Sequence, residues 1–339
     1  METTSSPPEW LVDVLERERK VLGCPGLVAG YVRAGEQPHV AAVGVRRMRN
    51  PESCEASDVV HIGAGTKAFT ALLIADAVSE RAVRFSTTLG SLDDKWKRSP
   101  WANTTIDALL RHEAGLPENA KWWGLSGAGG DLVAQRCDVL NPKWLTSGKP
   151  PTAGKFAYSN LGYVVLGAVA DIVYGMPFEA AFHLRIARPN LLQTAGFGVP
   201  DKVFGHQRTS AGYVPTMVDN PPVMNSAGRL HLSTSDWLRS SMLHTDASSC
   251  LHPELRKQLQ FSPVDGGYAG GWIVTKRAWS SGVALTHAGS NTFWLAVMWV
   301  SPKTGSAFAA VANAAGPDVS KGLDRVIGTM IVNSASLPY

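Results

Sequence analysis

Lys67 opens a run, Ala68 to Val78, that is apolar at every position except Thr70 and Asp76. A helix with so little polar surface is buried on all sides. Burial strips the ammonium of its hydration and lowers its pKa, until the amine can accept a proton near neutrality. Three residues earlier, on the same helical face, stands Ala64. That position is the helix N-terminus, where free N–H groups and the macrodipole favour negative charge. It suits a nucleophile: in a Ser-x-x-Lys arrangement the serine gives its proton to the lysine one turn on, and its own N–H helps hold the oxyanion. Here the side chain is a methyl.

Two other readings fit parts of this stretch. A lysine in an apolar helix can snorkel its head to the surface and do no chemistry. Gly63-x-Gly65-x-x-Ala68, following Val59-Val60-His61-Ile62, matches a dinucleotide fingerprint. That fingerprint requires a strand ending in an acidic residue about 20 positions on, whereas the chain turns polar at Ser79-Glu80-Arg81. The stretch also lacks the earlier glycine of a phosphate loop.

Two further stretches carry compatible chemistry. Tyr158-Ser159-Asn160 precedes a second apolar run, Leu161 to Gly167. A phenol near a lysine ammonium has a lowered pKa and can relay a proton, while the Asn160 amide can donate to a substrate carbonyl and also contact Lys67. By itself the tripeptide is a helix cap. Thr286-His287-Ala288-Gly289-Ser290 starts a strand whose small residues would let a substrate backbone lie alongside. By itself His287 is an ordinary, partly buried histidine.

The elements that must position these residues follow from patterning. Ser6-Pro7 is an N-cap and N1 pair, and Leu11, Val14, Leu15, Val21 and Leu22 share one face of a first helix. Gly26 to Val32 and Val40 to Val45 read as a β-hairpin. From Phe85 to Arg229 there is no sustained strand alternation, only helical segments such as Thr105 to Leu110 between loops rich in Gly and Pro. Ser233 caps a helix from Thr234. Strands return at Gly270 to Thr275, Val283 to Thr286, Thr292 to Val300 and Ser306 to Asn313. Val319, Leu323, Val326, Ile327, Met330 and Ile331 form the stripe of a closing helix. The pattern predicts an α/β sandwich, its antiparallel sheet flanked by helices. Residues 1–60 and 231–339 form the α/β domain, with a mainly helical lobe at 61–230.

Composition narrows the function. A hydrophobic fraction of 45% and a charged fraction of 18% in 339 residues specify a large globular core. The net charge of +4, with Lys and Arg scattered, gives no footprint for nucleic acid. No run reaches the ~18 apolar residues of a membrane span, and no secretory signal opens the chain. Cys24, Cys54, Cys137 and Cys250 form no C-x-x-C pair and read as reduced thiols in a cytoplasmic setting. His112-Glu113 lacks a second histidine at Leu116, so no metal site is expected, and no cofactor either.

Taken in this order, the three stretches resemble the serine β-lactamase and penicillin-binding-protein superfamily, and most of all its class C-like esterase and peptidase branch, over roughly residues 10 to 330. Ile62 to Ala71 is similar to the family's Ile-Gly-Ser-x-Thr-Lys-x-Phe-Thr-Ala in all but the serine; Tyr158-Ser159-Asn160-Leu161-Gly162-Tyr163 and His287-Ala288-Gly289 are similar to its tyrosine motif and to the His-x-Gly variant of its Lys-Thr-Gly strand. Leu109 to Pro117 and Asp219-Asn220-Pro221-Pro222 are secondary likenesses. Lys303-Thr304-Gly305 is a literal Lys-Thr-Gly, but it follows Ser301-Pro302 between two apolar strands and reads as a hairpin turn.

The resemblance implies the β-lactamase-like fold and an acyl-enzyme reaction on a small-molecule ester or amide. Lys67 and Tyr158 would move protons, the N–H groups of residues 64 and 290 would form the oxyanion hole, Asn160, Gly289 and Ser290 would bind substrate, and His287, as a catalytic residue, would help bind or polarise it. Ala64 cannot be acylated. Either a serine was deliberately exchanged to trap substrate, which the intact remainder of the motifs favours, or the chain is a natural ligand-binding homologue. His287 in place of a lysine argues against a penicillinase. Trp122, Trp123 and Trp144 are candidates to wall an apolar acyl pocket. Oligomeric state is not legible.

Overall fold

The computed structural model describes residues 7–146, 152–248 and 251–335. Ser6 and Cys250 lie outside these, as does part of the loop from Thr146 to Gly154.

Strands β1 (Gly26–Arg33), β2 (His39–Arg47), β3 (Asn50–Ser53), β4 (Val59–His61), β5 (Gly196–Phe197), β6 (Gly205–Thr209), β7 (Gly212–Thr216), β8 (Leu230–Ser233), β9 (Gly267–Ala269), β10 (Trp272–Arg277), β11 (Gly282–Ser290), β12 (Leu295–Ser301) and β13 (Ser306–Ala312) build three sheets. The large one is antiparallel throughout, in the order β3-β2-β1-β13-β12-β11-β10-β9. Both of its faces are covered, which is why its central strands read as continuous apolar runs. On one face Leu27, Ala29 and Tyr31 of β1 and Phe308, Ala310 and Ala312 of β13 pack under helices α1 (Glu9–Leu22) and, at the far end of the chain, Pro317–Ala335. Val319, Leu323, Val326, Ile327 and Met330 of that closing helix are all buried. Each contributes about 1.5–3 kcal/mol. The opposite face, with Val28, Val32, Ala307, Ala309 and Val311, belongs to the larger core.

That core is organised by α2 (Thr66–Ser79) and α3 (Asn160–Tyr174). Every residue of α2 from Thr66 to Ala75 is buried, so the helix is enclosed on all sides, as its composition requires. Ser159 Oγ accepts from the Gly162 N–H at 3.0 Å and starts α3. Ser233 Oγ does the same for Asp236, fixing the start of α4 (Thr234–Ser241). Lys303-Thr304-Gly305 closes the β12–β13 turn, with Gly305 at φ 65° and Ser301 paired to Ser306.

The stretch expected to lack strands carries the β6–β7 hairpin and β5. These strands have two to five residues, and polar side chains and Pro215 interrupt any apolar alternation. Among the described residues no single helix is long and apolar enough to cross a membrane. Cys24, Cys54 and Cys137 are free thiols, and burial pushes Cys24 and Cys54 up to about 12.

Candidate active site

The centre of the site is a junction of two backbones. Residues Gly63–Gly65 form a 3₁₀ turn that runs directly into α2, so Ala64 sits just before the α-helix rather than in it. β10 pairs with β11 only as far as Ile273↔Thr286. Beyond Thr286 the 3₁₀ turn covers β11 instead, and the approach leaves no room for side chains. A Cβ on Gly289 would stand 2.1 Å from Ile62 O and 2.6 Å from the Ala64 nitrogen, and one on Gly63, at φ +52°, would stand 2.4 Å from the Ser290 nitrogen. Only glycine fits such contacts. The backbones at 63–64 and 289–290 thus face each other at close range.

Polar groups anchor both walls. His61 Nδ1 accepts from the Gly63 N–H at 3.1 Å, so its proton is on Nε2, which lies 3.3 Å from Asp219 Oδ2. Asp219 also accepts from Arg229 Nε at 3.1 Å and, through Oδ1, from Asn291 Nδ2 at 3.0 Å. Burial raises the Asp219 carboxyl, but His61, Asn291 and Arg229 together hold it below its ordinary value. One carboxylate therefore braces the turn before Ala64 and the residue after Ser290. The Ser290 hydroxyl donates to Trp294 O at 2.6 Å and accepts from Thr292 N–H at 2.9 Å, so it is committed to its turn.

Behind this junction Lys67 is wholly buried. Its Nζ donates to Asn160 Oδ1 at 2.8 Å and to Ala227 O at 2.7 Å, and it makes no ion pair among the described residues. Burial lowers its pKa from 10.5 to about 7, opposed only by the field of Glu118. The nitrogen lies 4.8 Å from the centroid of the Tyr158 ring and 5.6 Å from that of Tyr163. The expectation for Tyr158 fails in sign: burial raises its phenol, and the charge of Glu118 adds to the rise.

His287 and Tyr158 are joined through Tyr268, which the motifs did not single out, and His112, which lies in the Leu109 to Pro117 stretch. Tyr268 Oη meets His287 Nε2 at 3.1 Å, and the Tyr268 ring packs 4.4 Å from His112, which lies 4.5 Å from Tyr158. His112 Nδ1 accepts from the Ser159 N–H at 3.1 Å and so fixes the residue beside Tyr158. Burial drives His112 to about 2 and His287 to about 3, so both rings are neutral. Tyr268 sits between glycine pairs in Gly266-Gly267-Tyr268-Ala269-Gly270-Gly271, a signal that the sequence does carry.

Ala64, Asn160 and Ser290 line a cavity of about 410 Å³ together with Asn119, Trp122, Asn220, Met224, Ala227, Gly228, Asn291 and Thr292. Lys67, Tyr158, His287 and Gly289 do not line it, although Lys67 is hydrogen-bonded to two residues that do, Asn160 and Ala227. Clefts of 350 to 580 Å³ lie elsewhere, so chemistry rather than size singles this one out. Thr292 is held at φ 83°, an outlier for a β-branched residue. The predicted tryptophan wall is reduced to one member. Trp123 is 69% exposed, and Trp144 is tied to Asp138 at 2.7 Å and packs on Gly124. Four asparagines take the place of the expected apolar lining, and among the described residues no charged side chain lines the cavity. Among the described residues no group of three or more His, Cys, Asp or Glu could hold a metal.

The family model described as Beta-lactamase matches residues 12–328. An unguisins hydrolase of Aspergillus violaceofuscus is 25% identical over 253 residues, 68% of this chain and 44% of its own length. The chain spans about half the length of the curated relatives it matches. Among solved structures, D-amino acid amidase from Ochrobactrum anthropi SV3 superposes with a TM-score of 0.80 at 18% identity, covering 96% of this chain and 99% of that one. A class C beta lactamase from Rhodobacter sphaeroides gives 0.78 at 19%, covering 96% and 100%.

Proposed function

Since the chain belongs to the beta-lactamase family, a family of serine hydrolases, we propose that its pocket is built for acyl transfer from a small, uncharged ester or amide, with residue 64 as the point of attachment. The observation that carries this reading is the convergence at one cavity of position 64, the facing backbones of 63–64 and 289–290, and a buried amine whose hydrogen-bond partners Asn160 and Ala227 line the same wall. A serine at 64 would pass its proton to Lys67 and attack the carbonyl. The N–H groups of 64 and 290 would take the oxyanion, and Tyr158 and Lys67 would deliver a proton to the leaving group. Water, or a second alcohol or amine, would then release the acyl group. His287, neutral and bonded to Tyr268, would shape the pocket without a charge for a substrate carboxylate. The free thiols support a reducing, cytoplasmic setting.

The test is Ala64→Ser. Turnover of p-nitrophenyl esters, cephalosporins or D-Ala-D-Ala peptides should rise by on the order of 10⁶, the scale on which removal of a nucleophile acts, and an acyl adduct should appear by mass spectrometry. A revertant inert to all three, with no adduct, would sink the reading.

Ala64 itself favours a second reading, a natural binding homologue that holds an ester, amide or peptide and never cleaves it. The codon for residue 64 in the natural gene separates this from a deliberate exchange.

A further inference from the structure

One residue of the cavity wall is held in a conformation that costs the fold free energy. Thr292, at φ 83°, is β-branched and stands where only glycine is free of strain. The turn around it leaves no choice. Its own N–H donates to Ser290 Oγ at 2.9 Å, and the N–H groups of Phe293 and Trp294 donate to Asn291 Oδ1 at 3.2 and 3.1 Å. Every donor in that set is a backbone group, so a glycine at 292 would keep all three bonds. The threonine side chain offers none in return: it is exposed, and among the described residues its hydroxyl has no hydrogen-bond partner. What it does supply is a hydroxyl on the cavity wall.

The other polar side chains of that wall are mostly engaged. Trp122 Nε1–H can only donate, and its 3.2 Å bond goes to Asn119 Oδ1, which also accepts from Asn160 Nδ2 at 3.0 Å. Asn160 must then turn its own oxygen to Lys67, at 2.8 Å. The Asn291 oxygen holds the turn and its Nδ2 donates to Asp219 Oδ1 at 3.0 Å, while the Ser290 hydroxyl is committed to Trp294 and Thr292. Asn220 is the exception. Its backbone N–H donates to the same Asp219 Oδ1 at 2.8 Å, which brings it beside Asn291 and Thr292, but its side-chain amide has no partner among the described residues.

Two uncharged groups, each able to donate and to accept, thus meet one cavity from neighbouring positions. A carboxamide, with one N–H and one carbonyl, matches such a pair. A carboxylate has no donor, and burying its charge among neutral groups is costly.

We propose that Thr292 is a specificity-determining residue which, with Asn220, binds a neutral carboxamide beside the reacting carbonyl, the pair accepting from its N–H and donating to its oxygen. The strain at 292 serves that contact. The proposal rests on the acyl-transfer reading in taking this cavity as the ligand site.

Calorimetry with racemic N-acetylphenylalaninamide, which has two amides and no charge, tests it on the protein as it stands. The amide should bind saturably, and N-acetylphenylalanine, the same molecule ending in a carboxylate, about ten-fold more weakly. Thr292→Val keeps the branch at Cβ and removes the hydroxyl; it should weaken binding of the amide about 3–10-fold and leave the melting temperature unchanged. Thr292→Ser should bind within about two-fold of the parent, and Asn220→Leu about 3–10-fold more weakly. Thr292→Gly should lose as much affinity as the valine variant and yet melt about 1–3 °C higher, because it relieves the strain. Affinity lost while stability is gained is a combination that loosening of the fold would not produce. An amide that fails to bind up to its solubility limit, valine and glycine variants that bind it as the parent does, or a glycine variant that melts lower overturns the proposal. Ala64→Ser, assayed in parallel with the three substrates above, keeps the two readings apart. A revertant that acylates beside amide binding indifferent to residue 292 defeats only this proposal. An inert revertant beside Thr292-dependent binding leaves the proposal standing and defeats the acyl-transfer reading; an inert revertant with no binding defeats both.

Discussion

Two cations lie fully buried, Arg136 and Lys67, and they are solvated in opposite ways. Arg136 meets both oxygens of Asp171, at 2.7 and 2.8 Å, and both of Glu179, at 2.9 and 3.1 Å. Lys67 meets an amide and a carbonyl. Equal burial with opposite partners separates structure from chemistry: compensating charge locks one cation in its ionised form, and neutral acceptors leave the other free to lose its proton. The two are linked in space. Glu179 also accepts from Asn225 Nδ2 at 2.8 Å, at the start of the one-turn helix Asn225–Gly228, whose Ala227 carbonyl holds Lys67. The permanent cation steadies the element that solvates the labile one.

Arg136→Met should be the most damaging change, costing about 3–5 kcal/mol in urea unfolding, because the buried Asp171 and the half-buried Glu179 lose their counter-ion. Lys67→Met should have the opposite sign. The depression of its pKa from 10.5 to about 7 corresponds to roughly 4–5 kcal/mol of stability withheld at neutral pH. Lost hydrogen bonds offset part of this, so the methionine protein should unfold about 1–4 kcal/mol later in urea at pH 7. A loss of stability there would show that Lys67 is structural after all.

The pH dependence sharpens the contrast. Between about pH 7 and 10.5 the unfolded chain binds a proton at residue 67 that the folded chain does not, so this contribution to stability rises with pH across the window and is flat below it. The advantage of Lys67→Met over the parent should therefore shrink steadily from pH 7 to 10, while the deficit of Arg136→Met should not change, since arginine stays protonated throughout. The smallest effect is expected from Glu118→Gln. Glu118 is exposed and acts on Lys67 only through its field, so the Lys67 inflection of the stability curve should fall by a few tenths of a unit at low salt and by nothing measurable at 0.5 M, about the limit of screening.

Local rules made much of this legible. The enclosed α2 follows from its composition, the start of α3 from the Ser159 cap, the closing helix from its stripe, and the β12–β13 turn from Ser301-Pro302 before Lys303. The β6–β7 hairpin escaped because polar residues and a proline hid its period. Tyr268 and Asn119 escaped for a different reason. Their partners, His287 and Asn160, lie 19 and 41 positions away, and no local pattern reports a hydrogen bond across that distance.

From sequence alone came the residue types at 64, 67, 158, 160 and 287, their order, and the apolar helix that guarantees a buried lysine. Only the tertiary structure decided which protonation state each would hold. Tyr158 went up where its neighbour suggested down, His287 became neutral, and a donor-only indole two residues removed from Lys67 oriented the amides that turn a neutral oxygen toward the amine. Ionisation depends on how much water is excluded and which atoms replace it, and the packing of distant segments sets both.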